Sequence, residues 1–385
     1  MSQDIDDDTF QQLRDMIQRF VIERLMPNET RLEIEDEIPE EIVTEMRELG
    51  LFGLTIPPEY GGIGLNARQE AQIAQIFGHT ALAFRSLLAT NIGIGARGLI
   101  FEGTDAQKEA YLPRLASGEL MCAFALTEPD TGSDPANLTT KAVRDGDDYL
   151  ISGTKRYITN AERAGLFTVM ARTDFDAPGA EAISAFLVPG DAPGLTVGKK
   201  DRKMGQRGTT TSDVVFDKVR VPASAIIGET PGRGFRLAMR VLDRGRIHIA
   251  ALATGMCDRL ISEMVEYAKN RRQFGKPIAE YQLIQGMIAD SYTEYRACKA
   301  LVEETAGIYD DTGAARTEAS AAKYFATEAV GRVADRAVQV HGGAGYMSEY
   351  PVERFYRDVR LLRIYEGTSQ IQQLLIARQV LKGEA

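Results

Sequence analysis

One carboxylate is set apart by its neighbours. In IYEGTSQIQQLLIARQV, residues 364–380, Glu366 lies between Tyr365 and Gly367, just ahead of an amphipathic segment. Thr368 and Ser369 are N-cap candidates for a helix with Ile371, Leu374, Leu375 and Ala377 or Arg378 at helical spacing and Gly383 beyond its end. An acid near a helix N-terminus commonly does no more than complement the helix dipole. A glycine beside it, however, lets backbone approach a ligand closely. The local sequence leaves both readings open.

The other chemistry-bearing residues narrow the field. GIGARG, Gly93–Gly98, satisfies the G-x-G-x-x-G pattern, but a dinucleotide loop needs a preceding strand and a βαβ unit. This one follows LLATN inside a helical region and reads as a helix–helix contact. His79, His248 and His341 lack any partner pattern for a Ser or Cys triad or a metal, and read as structural. Cys122, Cys257 and Cys298 lie far apart, without disulfide or zinc spacing, which suits a reducing compartment. Difficult chemistry is therefore expected to come from a bound cofactor, with no metal. CAFALTEPDTGSD, Cys122–Asp134, reads by itself as a strand entering a tight turn.

The elements that must position these residues change character twice along the chain. From about 9 to 119 the period is helical: Phe10, Leu13, Ile17, Phe20, Val21 and Leu25 share one broad face. A second helix has Pro39 at its start and Gly50 past its end, and PPEYGGIGLN is a turn-rich loop. From 120 to 228, MCAFALT, YLISGTKRYIT, LFTVMART, ISAFLVP and SDVVFDKVRVP read as strands between turn signals. After GETPGRGF helical periodicity returns, with long pieces over Phe235–Asn270, Ile278–Asp310 and Arg316–His341. The expected domains are 1–119 (helical), 120–228 (β) and 229–385 (helical bundle).

The 385 residues are 44% apolar and 26% charged, ordinary for a globular protein, and the formal charge of −10 argues against nucleic acid as the main partner. Arg354, Arg357, Arg360 and Arg363 recur every three residues with Glu349, Glu353 and Asp358 interleaved, which reads as internal ion pairing or a subunit contact. The opening MSQDIDDD has no apolar h-region and no arginines, and no apolar run approaches a membrane span. A cytoplasmic protein is expected, or a mitochondrial matrix protein without its transit peptide, with no membrane insertion.

CAFALTEPDTGSD, GTKRYITNA, RRQFGKPIAEYQLIQ, QVHGGAGYMSEYP and YEGTSQIQ, in this order, make the chain resemble the acyl-CoA dehydrogenase family over nearly its full length. The resemblance implies a mostly α fold with a central β domain: an N-terminal helical domain, a middle β-barrel or sandwich domain and a C-terminal four-helix bundle. It also implies FAD held where two subunits meet. Phe124, Leu126 and Thr127 would line the flavin ring, with Tyr157, Ile158 and Thr159 against its other side. Many relatives carry Trp at the position of Tyr157, and this chain has none. From the neighbouring subunit Arg271, Gln273, Phe274 and Gln282 would hold pyrophosphate and adenosine, with further contacts from Gln339, Gly342 and Gly343. Thr368 and Gln370 would meet the cofactor at the start of the last helix.

On the substrate side the resemblance assigns Ser133 to the acyl-CoA and Asp243 and Arg246 to its CoA portion. Glu366 would be the catalytic base, flanked by Tyr365 and Gly367, removing an α-proton while hydride leaves the β-carbon for the flavin. A branch of the family places its base just before the position of Arg246. Here that residue is Gly245, which is expected to leave the cavity open near the reacting carbons. Arg85 matches the YRS arginine of glutaryl-CoA dehydrogenases, which meets a distal carboxylate; the alternative is a surface or ion-paired arginine at a helix end. The implied activity is conversion of an acyl-CoA to the trans-2-enoyl-CoA in fatty acid metabolism, with electrons passed to an electron-transfer flavoprotein by a homo-oligomer, usually a tetramer. An acyl-CoA oxidase or a dicarboxylyl-CoA dehydrogenase on the same fold are the alternatives.

Overall fold

The structure, a computed structural model, describes residues 5–383. Met1–Asp4 of the acidic opening lie outside the described residues. Seven helices come first: α1 (Asp7–Phe20), α2 (Glu29–Glu35), α3 (Glu40–Glu48), α4 (Ala67–Phe77), α5 (Leu82–Ala89), α6 (Arg97–Glu102) and α7 (Asp105–Ala116). Phe10, Ile17, Phe20, Val21 and Leu25 are buried as one stripe, while Leu13 is half-buried, and a π-helical turn over Val21–Leu25 ends the run. Pro39 precedes α3, and Gly50 takes φ +69° after it.

The sheet follows: β1 (Cys122–Ala125), β2 (Lys141–Asp145), β3 (Asp148–Thr159), β4 (Leu166–Arg172), β5 (Ile183–Pro189), β6 (Leu195–Val197) and β7 (Thr211–Pro222). Its order is β1-β4-β2-β3-β7-β6, with β5 also paired to β4. Successive side chains point to opposite faces. Thus Ala123, Ala125, Phe167 and Val169 fill the sheet's own core, whereas Cys122, Leu126, Leu166 and Met170 join the helical core. Both faces of β4 are buried, so LFTVMA is nearly all apolar.

Then come α8 (Gly234–Asn270), a small hairpin of β8 (Arg272–Gln273) and β9 (Lys276–Pro277), α9 (Gln282–Thr312), α10 (Arg316–His341), α11 (Pro351–Leu362) and α12 (Ser369–Lys382). α8 packs against α9, α10 and α4, and α10 also against α11 and α12. Alanine is the commonest residue on the buried face of α10, with Ala319, Ala322, Ala326, Ala329, Ala334 and Ala337. No helix among the described residues is long and apolar enough to cross a membrane.

One expectation needs correcting and two gain detail. GIGARG is not simply a helix–helix contact. Gly95 closes a π-helical turn against strand β1, where a Cβ would lie 2.9 Å from Cys122 O, and only Gly98 faces a helix, at Leu237 of α8. The apolar stripe of α12 is largely unburied within one chain: Leu374 is 61% exposed and Leu381 86%. The arginine ladder is ion-paired internally, as expected, and mainly with other elements. Arg354 reaches Glu29, Arg357 reaches Glu33 as well as Glu353, and Arg363 reaches Glu328.

Candidate active site

Glu366 sits in the tight link between α11 and α12, with φ +54°, and Gly367 follows at φ +93°. A left-handed backbone at a non-glycine residue costs on the order of 1–3 kcal/mol, so surrounding structure must impose it. Here it does. Gln372 Nε2 donates to Glu366 O at 3.1 Å and to Gly367 O at 3.0 Å, Lys323 Nζ donates to Gly367 O at 2.7 Å, and Arg246 Nε reaches Glu366 O at 3.5 Å. At φ +93° residue 367 holds a conformation that side-chain-bearing residues rarely adopt, which favours glycine there. Both carbonyls are thereby turned into the protein, and the Glu366 N–H makes no hydrogen bond among the described residues. Thr368 caps α12 by accepting from Ile371 N at 3.2 Å, and Ser369 binds Glu328 instead.

Glu366 is half-buried, and its Oε2 is buried without a hydrogen-bond partner. It lies over Gly245 of α8, where a Cβ would come within 2.2 Å of Oε2. The space expected to be open above Gly245 is therefore filled by the acid itself. Burial raises the Glu366 pKa above the ordinary carboxylate value; Arg85, Lys323 and Arg246 pull against that rise. Tyr365 is likewise pushed up by burial, to about 12, and faces Gln206.

Arg85 is neither on the surface nor at a helix end. It lies within α5, is buried, and donates from Nε to His248 Nε2 at 2.8 Å. An accepting Nε2 means a neutral ring with its proton on Nδ1, which donates to Glu70 Oε1 at 3.0 Å. Burial drives His248 down to about 4, in keeping with that neutral form. Burial opposes the Glu70 charge, but Arg97, Arg244 and the His248 N–H outweigh it and hold its carboxyl well below the usual range. Glu70 thus serves Arg97 and Arg244, and among the described residues Arg85 has no carboxylate within ion-pair distance.

The middle-domain residues approach from the sheet. Phe124 is half-buried on the helix-facing side of β1, and Leu126 and Thr127 continue from it. A register shift between Lys155 and Ile158 in the β3–β7 ladder puts Tyr157 at φ +58°, so that its ring is 59% exposed with Arg156 over one face. Ile158 turns its side chain into the sheet core and pairs with Ser212 of β7. Thr159 pairs with Thr211, and the next residue, Asn160, donates to Ser86 O at 3.2 Å, tying this strand end to α5 beside Arg85. Ser133 is exposed on the loop after β1. Asp243 and Arg246 form an ion pair beneath the Glu366 loop.

A second group lies elsewhere. Arg271, Gln273, Phe274 and Gln282 are exposed around the β8–β9 hairpin, where Phe274 and Gly275 both take positive φ. Gln339, Gly342 and Gly343, at the end of α10, are exposed at the same end of the molecule. There His341 stacks on Tyr267 at 4.2 Å, and Arg271 N bonds Tyr267 O. About 25 residues of α8 separate Gly245 from this end, roughly 37 Å at the helical rise. One chain does not bring the two groups together.

Several contributors were not singled out in the sequence. Glu70, Lys155, Glu128 and Lys323 are charged residues in apolar surroundings, and a charge inside a helix or strand reads as solvent-facing. A cavity of about 130 Å³ lined by Arg316, Thr317, Leu375, Arg378, Gln379 and Lys382 lies where the start of α10 meets the end of α12. Its cations come from two segments that are remote in sequence.

The sequence matches models of the acyl-CoA dehydrogenase N-terminal domain over residues 7–119, middle domain over 123–219 and C-terminal domain over 232–381. A probable acyl-CoA dehydrogenase of Bacillus subtilis, YngJ, is 41% identical over 376 residues, covering 97% of this chain and 98% of that protein. The caffeyl-CoA reductase-Etf complex subunit CarC of Acetobacterium woodii is 40% identical, covering 94% and 95%. The structure of butyryl-CoA dehydrogenase from Megasphaera elsdenii superposes with a TM-score of 0.93 at 34% identity, covering 99% of this chain and all of that one. The three-domain architecture, the acid over Gly245 and these likenesses agree, and the chain belongs to the acyl-CoA dehydrogenase family of oxidoreductases.

Proposed function

We propose that this enzyme removes two hydrogens across Cα–Cβ of an acyl-CoA thioester to give the trans-2-enoyl-CoA, with Glu366 as the base. The observation that carries the reading is the half-buried Glu366 carboxylate, its Oε2 buried and unpartnered and its pKa raised, next to a free backbone N–H. Glu366 takes the α-proton, and its own N–H donates to the thioester oxygen, where negative charge develops.

The residues fit FAD. Tyr157 offers an exposed aromatic face, and the buried hydroxyls of Thr209 and Thr210, just before β7, and of Thr211 and Ser212 at its start lack partners among the described residues. Phe124, Leu126, Thr127, Ile158, Thr159, Thr368 and Gln370 would hold the ring and its polar chain. When bound, the flavin supplies the two-electron acceptor. Arg271, Gln273, Phe274, Gln282, Gln339, Gly342 and Gly343 would reach the cofactor of a second subunit, which makes the active unit at least a dimer and, in this family's manner, a dimer of dimers. Ser133, Asp243 and Arg246 would line the path of the CoA portion, and the Arg316–Arg378 cavity suits its phosphates. α12 runs from the base loop to Arg378 over roughly 15 Å.

The domain boundaries that suit this arrangement are 1–119, 120–228 and 229–385. Electrons would pass to an electron-transfer flavoprotein, a reading supported by the relative that forms a complex with one. The compartment would be cytoplasmic. A second reading, a dicarboxylyl-CoA substrate, is favoured by Arg85: its guanidinium is buried and its fixed partner is neutral. Testing acyl-CoAs with and without a distal carboxylate at equal chain length decides between them; equal specificity constants retire the second reading.

The base is tested with Glu366→Gln, which keeps shape but cannot accept a proton. Flavin content should persist, and flavin reduction by acyl-CoA should fall by about 10²–10⁴. Bleaching by dithionite should be unaffected. Reduction at a near wild-type rate would place the base elsewhere.

A further inference from the structure

Lys323 is a wholly buried lysine in the middle of α10. Among the described residues its ammonium makes one hydrogen bond, to Gly367 O at 2.7 Å. That carbonyl already accepts from Gln372 Nε2 at 3.0 Å, and the neighbouring Glu366 O accepts from both Gln372 and Arg246. A neutral donor would therefore suffice to hold the loop, and Gln372 is one. What Lys323 adds is a charge, and a buried ammonium is costly unless something nearby uses it.

The charged groups around it show what uses it. From α8 comes Arg246, itself paired with Asp243, and from α10 comes Glu328, which is taken up by Arg363 and Ser369. The remaining carboxylate is Glu366, which has no ion-pair partner among the described residues. Glu366 in turn faces Arg85 from α5, Arg246 from α8, Lys323 from α10 and the more distant Glu70 from α4. Arg246 is neutralised by Asp243, whereas Arg85, held by the neutral His248, also bears on Glu366 across the site; the Lys323 ammonium is the charge whose one hydrogen bond is to the loop that carries the base.

We propose that Lys323 is a positioning residue of the reaction, whose buried positive charge behind the Gly367 carbonyl keeps the Glu366 carboxylate ionised and ready to receive a proton. The proposal rests on Glu366 being the base. Burial alone would leave Glu366 protonated to higher pH, and a protonated acid cannot accept the α-proton. Burial also pushes Lys323 down, to about 8, which leaves it charged at neutral pH with Glu366 favouring that charge. The device lies out of substrate reach, since the ammonium is sealed behind the peptide it binds.

The test compares three variants in the flavin-loaded enzyme. Lys323→Gln keeps a donor for Gly367 O and removes the charge, and Lys323→Met removes both while relieving a buried ion. Gln372→Leu weakens the clamp without changing charge. Single-turnover flavin reduction is followed across pH, and the Glu366 carboxyl is titrated independently by infrared difference spectroscopy against Glu366→Gln. The acid limb of the rate, and the carboxyl titration with it, should move to higher pH by roughly one unit in both Lys323 variants, about tenfold in rate on that limb. Gln372→Leu should lower the plateau and leave the limb in place. An unmoved limb in whichever Lys323 variant retains flavin overturns the proposal. Should Glu366→Gln itself prove active, the base assignment has failed, a result distinct from an unmoved limb.

Discussion

At Gly245 a single added methyl group would stand 2.2 Å from Oε2 of Glu366, well inside van der Waals contact. Gly245→Ala should displace the acid from its resting place and slow flavin reduction by about 10²-fold, while Tyr157 and the flavin-facing strand are untouched and flavin content is retained. An unimpaired Gly245→Ala enzyme would show that the acid works from another position. The raised pKa of Glu366 also sets a direction in pH. The ionised form is the active one, so flavin reduction should decline as pH falls through that raised value, earlier than for an ordinary carboxylate. Glu366 was legible through the ordered motifs that make the chain resemble its family, because the local sequence alone also suited an acid that complements the helix dipole. Lys323 and Glu70 were not. In SAAKYFATEA and ARQEAQIAQ each occupies a spacing that a solvated helix face would also give. Only the packing of α10 under the Glu366 loop, and of α4 against α8, reveals that both are sealed.

The loop after β1 is held by an element-level device. Glu128 accepts from Thr139 N at 2.6 Å, Thr139 Oγ1 at 2.7 Å and Thr140 N at 2.9 Å, and it pairs with the buried Lys155 at 2.9 Å. Lys155 Nζ also reaches Leu126 O at 3.0 Å, which fixes the backbone next to the proposed flavin contacts. The two partners are not equally served. Burial opposes both charges; Lys155 and the surrounding donors bring Glu128 down to about 2, whereas burial wins at Lys155 and lowers it to about 8. For Glu128 the folded pKa is depressed, so its contribution is present above the ordinary value of 4.5 and is lost as pH falls through about 2. Glu128→Gln should therefore destabilise the protein by about 3–5 kcal/mol at neutral pH, and the gap between the two melting temperatures should narrow in acid. A gap independent of pH would remove the ion pair from this account. The longer strands around this device were readable from their β-branched and aromatic runs. β2 (KAVRD) and the three-residue β6 were not, since charge and brevity hide them. The bulge at Tyr157 was also invisible, because it is set by the register with β7 and not by its own residues.

For the whole molecule, the described surface of one chain is incomplete. Leu374, Val380 and Leu381 of α12 and Leu283 of α9 are exposed, and Phe274 at the hairpin tip is 93% exposed. The helical spacing of α12 predicted an amphipathic helix but could not say that its apolar stripe faces away from its own chain. Arg271 is equally exposed and has no ion-pair partner among the described residues, roughly 37 Å along α8 from the acid it would have to serve in its own chain. In the proposed function an arginine placed there would serve a neighbour's cofactor, where its planar fork would suit a pyrophosphate. Arg271→Ala should then lose flavin, and because the cofactor would bridge two chains, the oligomer should weaken with it. Both effects should be partly reversed by excess FAD, since ligand binding to the assembled state stabilises it by mass action. Absorbance of bound flavin and the sedimentation of the same samples check the two effects together. A yellow, fully loaded Arg271→Ala protein of unchanged size would mean that the cofactor is held by one chain and that the exposed hairpin serves something else.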